Sequence, residues 1–175
     1  MKHRNNYSIF DKEKILAMIA LVIFVAIVGF VIGRGCGEGT ATCWILCKPG
    51  SKVYIRERAD KGSKSVGWLE AGDPFETDGK TKSGFVHAVG IGEAGEGWIY
   101  SGYVVTDEPE KVGETYVCVA KKWVACRRWC GGPQIKGRQG WLHNGSTVQV
   151  FLRSEDWCIT SRGYIRSEWL EPDPE

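Results

Sequence analysis

The 175-residue chain has no dominant charge: 23 Lys and Arg stand against 21 Asp and Glu, a net +2 with neutral histidines. That balance excludes a strongly basic nucleic-acid binder and equally an acidic disordered tail. Helical periodicity is lacking beyond the N-terminal segment, so a helix-borne nucleophile beside a sheet has no place to sit. No C-x2-C pair occurs among the seven cysteines, which weakens a four-cysteine zinc reading. What the chain does have is one long apolar run, 23 glycines, eight tryptophans and many short β-branched segments.

The apolar run, ILAMIALVIFVAIVGFVIG, spans residues 15–33 without a charged or strongly polar side chain. As a helix it would be roughly 28 Å long, close to the ~30 Å hydrocarbon core. A single transmembrane helix is expected. The rival is a cleaved secretory signal, whose apolar region is usually ~7–15 residues and ends at a small-residue site. Here the run is longer and Arg34 follows it directly, and Gly33-Arg34-Gly35-Cys36 resembles a lipoprotein cleavage box only loosely. Lys2, Arg4, Lys12 and Lys14 precede the run, whereas only Arg34 and Lys48 follow it up to residue 50. The excess of basic residues stays in the cytoplasm, so everything after the span is expected outside the cell membrane.

The expected organisation is a cytoplasmic tail at 1–14, the span at 15–33 and a Gly- and Thr-rich spacer at 34–45. Two blocks of about 60 residues follow, 46–106 and 114–172, separated by a linker at 107–113. Residues 35–113 sum to −3 and residues 114–175 to +2, so neither block is strongly charged.

The two blocks match each other. Cys47…Val53-Tyr54-Ile55-Arg56 lies on Cys118…Val124-Ala125-Cys126-Arg127, with nine residues from Cys to Arg in both. Gly67-Trp68-Leu69-Glu70-Ala71-Gly72 lies on Gly140-Trp141-Leu142-His143-Asn144-Gly145, and Phe85-Val86 on Trp157-Cys158. Finally, the segment from Gly97 to Val104 lies on the segment from Gly163 to Leu170. Four matched signals in one order indicate an internal repeat. Alternation in Val53–Arg56 and Thr147–Phe151 reads as half-buried antiparallel strands, with Gly72 and Gly145 at hairpin turns. About five strands in 60 residues are too few for two large sheets but enough for one small barrel. The expected core is Val53, Ile55, Leu69, Val86, Ile99 and Val104 in the first copy. In the second it is Val124, Cys126, Leu142, Val148, Val150, Ile165 and Leu170.

The order V-x-x-R, polar loop, G-W-L-x-x-G, aromatic strand and G-W-I-x-x-x-Y-V resembles the bacterial SH3-like family of cell-surface β-barrels. The second copy departs from it: Tyr164 replaces the Trp, Trp169 replaces the Tyr, and a Cys-rich loop follows the Arg. The resemblance implies an all-β chain of two small SH3-like barrels in tandem after one transmembrane helix. It also implies barrels without catalysis that bind peptidoglycan or its peptide stems. The family's ligand groove lies between the long loop after the first strands and the surface beside it.

Exposed rigid rings suit sugar or peptide contact because they bring area at low entropy cost. Tyr54, Tyr100 and Tyr103 in the first copy, and Trp123, Trp129 and Trp169 in the second, lie where alternation points outward or a loop is expected. Core or rim packing is the competing reading for each. Arg127-Arg128 and Lys121-Lys122, interleaved with Trp123 and Trp129, form a basic cluster that is either a solvated face or a contact for an anionic wall polymer or lipid headgroup. Cys118, Cys126, Cys130 and Cys158 form an even set, expected as two disulfides outside the membrane, each worth roughly 2–4 kcal/mol. His87 and His143 are the candidates for a Cys/His pair, a reading disfavoured by the missing helix.

The expected protein is therefore a non-catalytic, membrane-anchored binder of peptidoglycan or another cell-wall component, with no cofactor, metal or nucleic acid. Its ligand-binding candidates are Tyr54, Tyr100, Tyr103, Trp123, Arg127, Trp129 and Trp169. The alternative is a subunit that binds another cell-surface protein in a secretion, conjugation or phage assembly.

Overall fold

Residues 39–91 and 95–174 are described by the structure, a computed structural model. The expected cytoplasmic tail and the apolar run at 15–33 lie outside the described residues. Among the described residues no helix is long and apolar enough to cross a membrane. The chain from Thr40 onward forms one compact unit and is all-β.

Fourteen strands and three single-turn 3-10 helices make up this unit. The first half holds β1 (Ala41–Ile45), β2 (Val53–Arg56), β3 (Ser65–Leu69), β4 (Pro74–Lys82), β5 (Phe85–Ile91), β6 (Gly95–Tyr100) and β7 (Val104–Val105). The second holds β8 (Glu110–Cys118), β9 (Trp123–Ala125), β10 (Trp141–His143), β11 (Thr147–Arg153), β12 (Trp157–Thr160), β13 (Gly163–Arg166) and β14 (Leu170–Pro172). The first seven strands form one curled antiparallel sheet in the order β3-β2-β6-β5-β4-β1-β7. In the second half β10-β9 and β13-β12-β11-β8-β14 are separate sheets, joined where Arg127 bridges Tyr164. Strand for strand, this is the same order.

Register matches the two halves at corresponding strand pairs. Val53 faces Leu69 as Val124 faces Leu142, and Val86 faces Ile99 as Cys158 faces Ile165. Gly72 (φ +87°) and Gly145 (φ +74°) occupy matching turns that only a residue without a Cβ enters cheaply. Their amides donate to the carbonyls of Ile45 and Cys118. These bonds correct one pairing. The counterpart of Cys118 is Ile45, not Cys47, and the loop that follows is two residues shorter in the second half.

The spacer and the linker are also corrected. Cys43 and Ile45 are buried in the first core, and β1 pairs with both β4 and β7, so the folded part begins well inside the expected 34–45 spacer. Of the expected linker at 107–113, residues from Glu110 onward belong to β8. The Asp107 carboxylate accepts a hydrogen bond from the Glu155 amide at 2.7 Å.

Each half has its own core. All seven residues expected in the second core are buried together, with Tyr116, Cys118, Ala120 and Cys158 added. In the first, Val53, Ile55 and Ile99 are buried, while Leu69, Val86 and Val104 pack at its margin. A third cluster was not expected: Leu46 and Val105 from the first half pack with Leu152, Ile159 and Tyr164 from the second. The two halves are thus fused along an apolar seam.

The six described cysteines are free thiols, which corrects the two disulfides expected among Cys118, Cys126, Cys130 and Cys158. The repeat supplies the reason. Cys118, Cys126 and Cys158 occupy the positions of Ile45, Ile55 and Val86, and are fully buried in one core as small apolar fillers. The Cys118 thiol points at the Leu142 carbonyl (3.8 Å), and Cys158 shares a contact with the Ser167 hydroxyl (3.4 Å). Cys130 lies elsewhere, against the seam cluster.

Candidate functional site: a cleft on the seam

The loop after β2 is built around one buried hydroxyl. Ser63 accepts from the Arg58 amide (3.0 Å), and its carbonyl takes the Arg56 guanidinium (2.8 Å). The Gly62 amide donates to the Asp60 carboxylate (2.9 Å), and the Ser63 amide to the Asp60 carbonyl (3.1 Å). Held in this way, the loop presents the Lys61 ammonium 4.4 Å from the centre of the Tyr100 ring and 5.5 Å from that of Trp129. Such cation–ring contacts favour a fixed position for an otherwise mobile charge.

Trp129 reaches this point from the second half, on the loop between β9 and β10. Arg127 shapes that loop: its backbone bridges Gln134 and Tyr164, and its guanidinium donates to the Gly132 carbonyl at 2.7 Å. The Cys130 amide then donates to the Gly102 carbonyl of the first half at 3.0 Å. Gly102 makes this close approach possible, because a Cβ there would stand 2.4 Å from the Trp129 ring. Trp129 meets Tyr100 edge-on at 5.6 Å, and Tyr100 in turn meets Phe85 (5.5 Å) and Tyr103 (6.0 Å) in the same manner. Tyr164 closes the seam below, its hydroxyl donating to the Leu46 carbonyl at 2.8 Å.

These residues line a cleft of about 540 Å³. Its rings are Tyr54, Phe85, Tyr100, Tyr103, Trp129 and Tyr164; its cations are Lys48, Lys52, Arg56, Lys61 and Arg128. No Asp or Glu lines it, and among the described residues none of the five cations is in an ion pair. Burial pushes the phenols of Tyr103 and Tyr164 upward. Burial, then the charges of Asp73 and Glu70, pushes the Cys47 thiol up to about 11. With no carboxylate in the lining, its ionic side chains are all Lys or Arg.

Four of the seven expected binding residues meet here: Tyr54, Tyr100, Tyr103 and Trp129. Arg127 lies beneath the site as the tether of its loop. Trp123 is half-exposed on β9, edge-on to Trp141 at 4.0 Å, and does not line the cleft. Neither does Trp169, in the 3-10 turn Ser167–Trp169 that corresponds to Ser101–Tyr103. Sequence reasoning did not place Lys61, Lys48, Lys52, Arg56 or Tyr164 among the binding candidates. Periodicity carries no signal for such residues, because distant loops bring them together.

The two described histidines sit elsewhere. His87 is buried, with Nδ1 3.1 Å from Asp78 and Nε2 3.6 Å from Glu96, and it packs on Trp98. His143 is exposed at the end of β10. Among the described residues no three His, Cys, Asp or Glu side chains converge to hold a metal.

No protein-family profile and no curated protein matches this chain. Among solved structures it is similar to two proteins from Trichomonas vaginalis. NlpC2 aligns at 14% identity and a TM-score of 0.31, over 78% of this chain and 49% of its own. NlpC1 aligns at 13% and 0.30, over 80% and 48%. This chain spans about half the length of either protein, and a likeness of this size assigns neither fold family nor function.

Proposed function

We propose that this protein is a non-catalytic binder of peptidoglycan or another cell-wall component, built from two SH3-like barrels in tandem. In this reading the segment 15–33 anchors it in the cell membrane, with the all-β unit on the extracytoplasmic face. The seam cleft carries the proposal. Its exposed rings offer rigid apolar area, and its unpaired cations attract an anionic, partly apolar ligand. The strand order shared by the two halves supports the tandem-barrel part of the reading.

Sedimentation of the full-length protein, in detergent micelles, with purified peptidoglycan tests it. Wall binding predicts co-pelleting that weakens in Trp129→Ala and persists in Trp123→Ala. A protein that stays in the supernatant overturns the reading.

A further inference from the structure

The basic cluster read from the sequence is divided by the fold. Arg128 and Trp129 go to the cleft, whereas Lys121, Lys122 and Trp123 stay outside it. The positive stretch is also longer than that cluster: residues 115–154 hold seven Lys and Arg and no Asp or Glu. Within it, the sheet β9–β10 turns Val124 and Leu142 into the second core and leaves Trp123, Ala125, Trp141 and His143 on its outer face. Trp123 is 50% exposed and stands edge-on to Trp141 at 4.0 Å, with 73° between the rings. The loop that carries the exposed Lys121 and Lys122 is tied down. The Asn144 amide donates to the Lys122 carbonyl (2.9 Å) and the Gly145 amide to the Cys118 carbonyl (2.8 Å). On the other strand, the Arg162 guanidinium donates to the Trp141 carbonyl (3.3 Å). Among the described residues none of these three cations is in an ion pair.

We infer that the outer face of β9–β10 docks on an anionic phospholipid bilayer, with Trp123 at the headgroup boundary and Lys121 and Lys122 against lipid phosphates. An indole has an apolar body and one N–H, which suits the boundary between acyl chains and headgroups. Lysines beside it gain from the negative surface potential, which reaches only about a Debye length. The chain before the unit brings a bilayer within reach. On the reading that residues 15–33 span a membrane, the chain from residue 33 to Thr40 extends at most about 25 Å. Docking of this kind rests on the anchoring part of the proposed function and adds to it the face that meets lipid. In the first half Lys52 stands at the position of Trp123 and residues 35–113 sum to −3, so the face belongs to the second half alone. A nucleic acid would use the cations, but edge-on rings offer no two parallel faces to hold a base between them.

None of the eight tryptophans precedes residue 44, so indole emission reports the all-β unit and not the apolar run. The test places the full-length protein in nanodiscs whose lipids carry bromine on the acyl chains, which quenches an indole only at close approach. The discs are phosphatidylcholine alone or phosphatidylcholine with phosphatidylglycerol. Stronger quenching is expected in the anionic discs, and about 0.5 M salt is expected to remove the difference. Trp123→Phe is expected to abolish most of it. Lys121→Gln combined with Lys122→Gln is expected to lower the docked-to-undocked ratio by roughly fivefold per charge removed. Unchanged melting of both variants shows that they fold. Equal quenching in the two kinds of disc, or wild-type quenching in both variants, overturns the inference. So does Lys121- and Lys122-dependent binding of a single-stranded oligonucleotide or of peptidoglycan in place of the lipid response.

Failure of the anchor is read separately. A chain that is quenched in anionic discs but stripped from them by salt keeps the face and removes the span. A chain that salt does not strip, yet is quenched equally in both discs, keeps the span and removes the face. A chain that never associates with either disc removes both. Wall binding is independent of these outcomes, since the Lys121→Gln, Lys122→Gln chain is expected to pellet with peptidoglycan as wild type does.

Discussion

The Tyr164 hydroxyl donates to the Leu46 carbonyl across 118 residues of sequence, at 2.8 Å and out of contact with solvent. It ties the second half to the first beside the apolar seam, at a position where the first half carries Trp98. Tyr164→Phe keeps the ring and deletes the bond. A loss of about 1 kcal/mol is expected in denaturant unfolding. A fall in peptidoglycan co-pelleting without a comparable loss of stability would show that the seam also sets the shape of the cleft.

Gly102→Ala places a methyl group 2.4 Å from the Trp129 ring and 2.9 Å from that of Tyr100. The ring has to leave its notch. Overpacking of this kind costs about 1–3 kcal/mol. Near-ultraviolet circular dichroism is expected to lose aromatic signal, and on the wall-binding proposal co-pelleting is expected to fall as predicted for Trp129→Ala.

Burial, only partly opposed by a backbone hydrogen bond, pushes the Cys130 thiol up to about 12, and burial raises those of Cys43, Cys126 and Cys158 as well. Thiolates are the reactive form, so these groups are expected to be inert while the protein is folded. In a Cys36→Ser chain, a chromogenic disulfide reagent at pH 8 should react slowly before denaturant is added and quickly afterwards. Reductant should leave the melting temperature unchanged. A drop on reduction would establish the crosslinks that the sequence suggested.

Leu142→Ala removes a fully buried side chain from the second core, and Ile99→Ala does so in the first. Each is expected to cost about 2–5 kcal/mol by thermal or denaturant unfolding. Because the seam joins the cores, both variants should still unfold in one transition. Two separated transitions would show that the halves melt independently.

Acid should destabilise the first half through Asp78. The Lys80 side chain, 2.6 Å away, together with the Lys80 amide and His87, lowers this carboxylate from its ordinary 3.8 to about 2. A depressed carboxylate contributes stability that is complete above the unfolded value and disappears as pH falls through the folded one. The contribution is therefore expected to fade between about pH 4 and pH 2, and Asp78→Asn should flatten that limb of the melting profile.

The strands and cores were legible where alternation is local. Val53–Arg56 and Thr147–Phe151 read directly as half-buried strands, and the matched glycine turns located the hairpins. β1 was hidden, because Ala41–Ile45 is flanked by a Gly- and Thr-rich segment and finds its partner only in Phe75 and its neighbours. The disulfide expectation came from the cell compartment, although the repeat had already set Cys126 on Ile55 and Cys158 on Val86. Chemistry dictated by location was weighed above packing dictated by register. As for the cleft, outward-facing rings were recognisable from strand phase. Arg128 stood out in the basic pair with Arg127, whereas Lys61 did not, since an isolated surface cation has no pattern until the chain has folded around it.

Gly102 is small so that a tryptophan from the other repeat can occupy the space its side chain would have filled. Neither repeat can accordingly be lifted out and used as a cassette. A protein cut at residue 107 would leave one fragment with an empty socket and the other with a bare indole facing water. Grafting the cleft onto another scaffold requires moving both repeats as one piece.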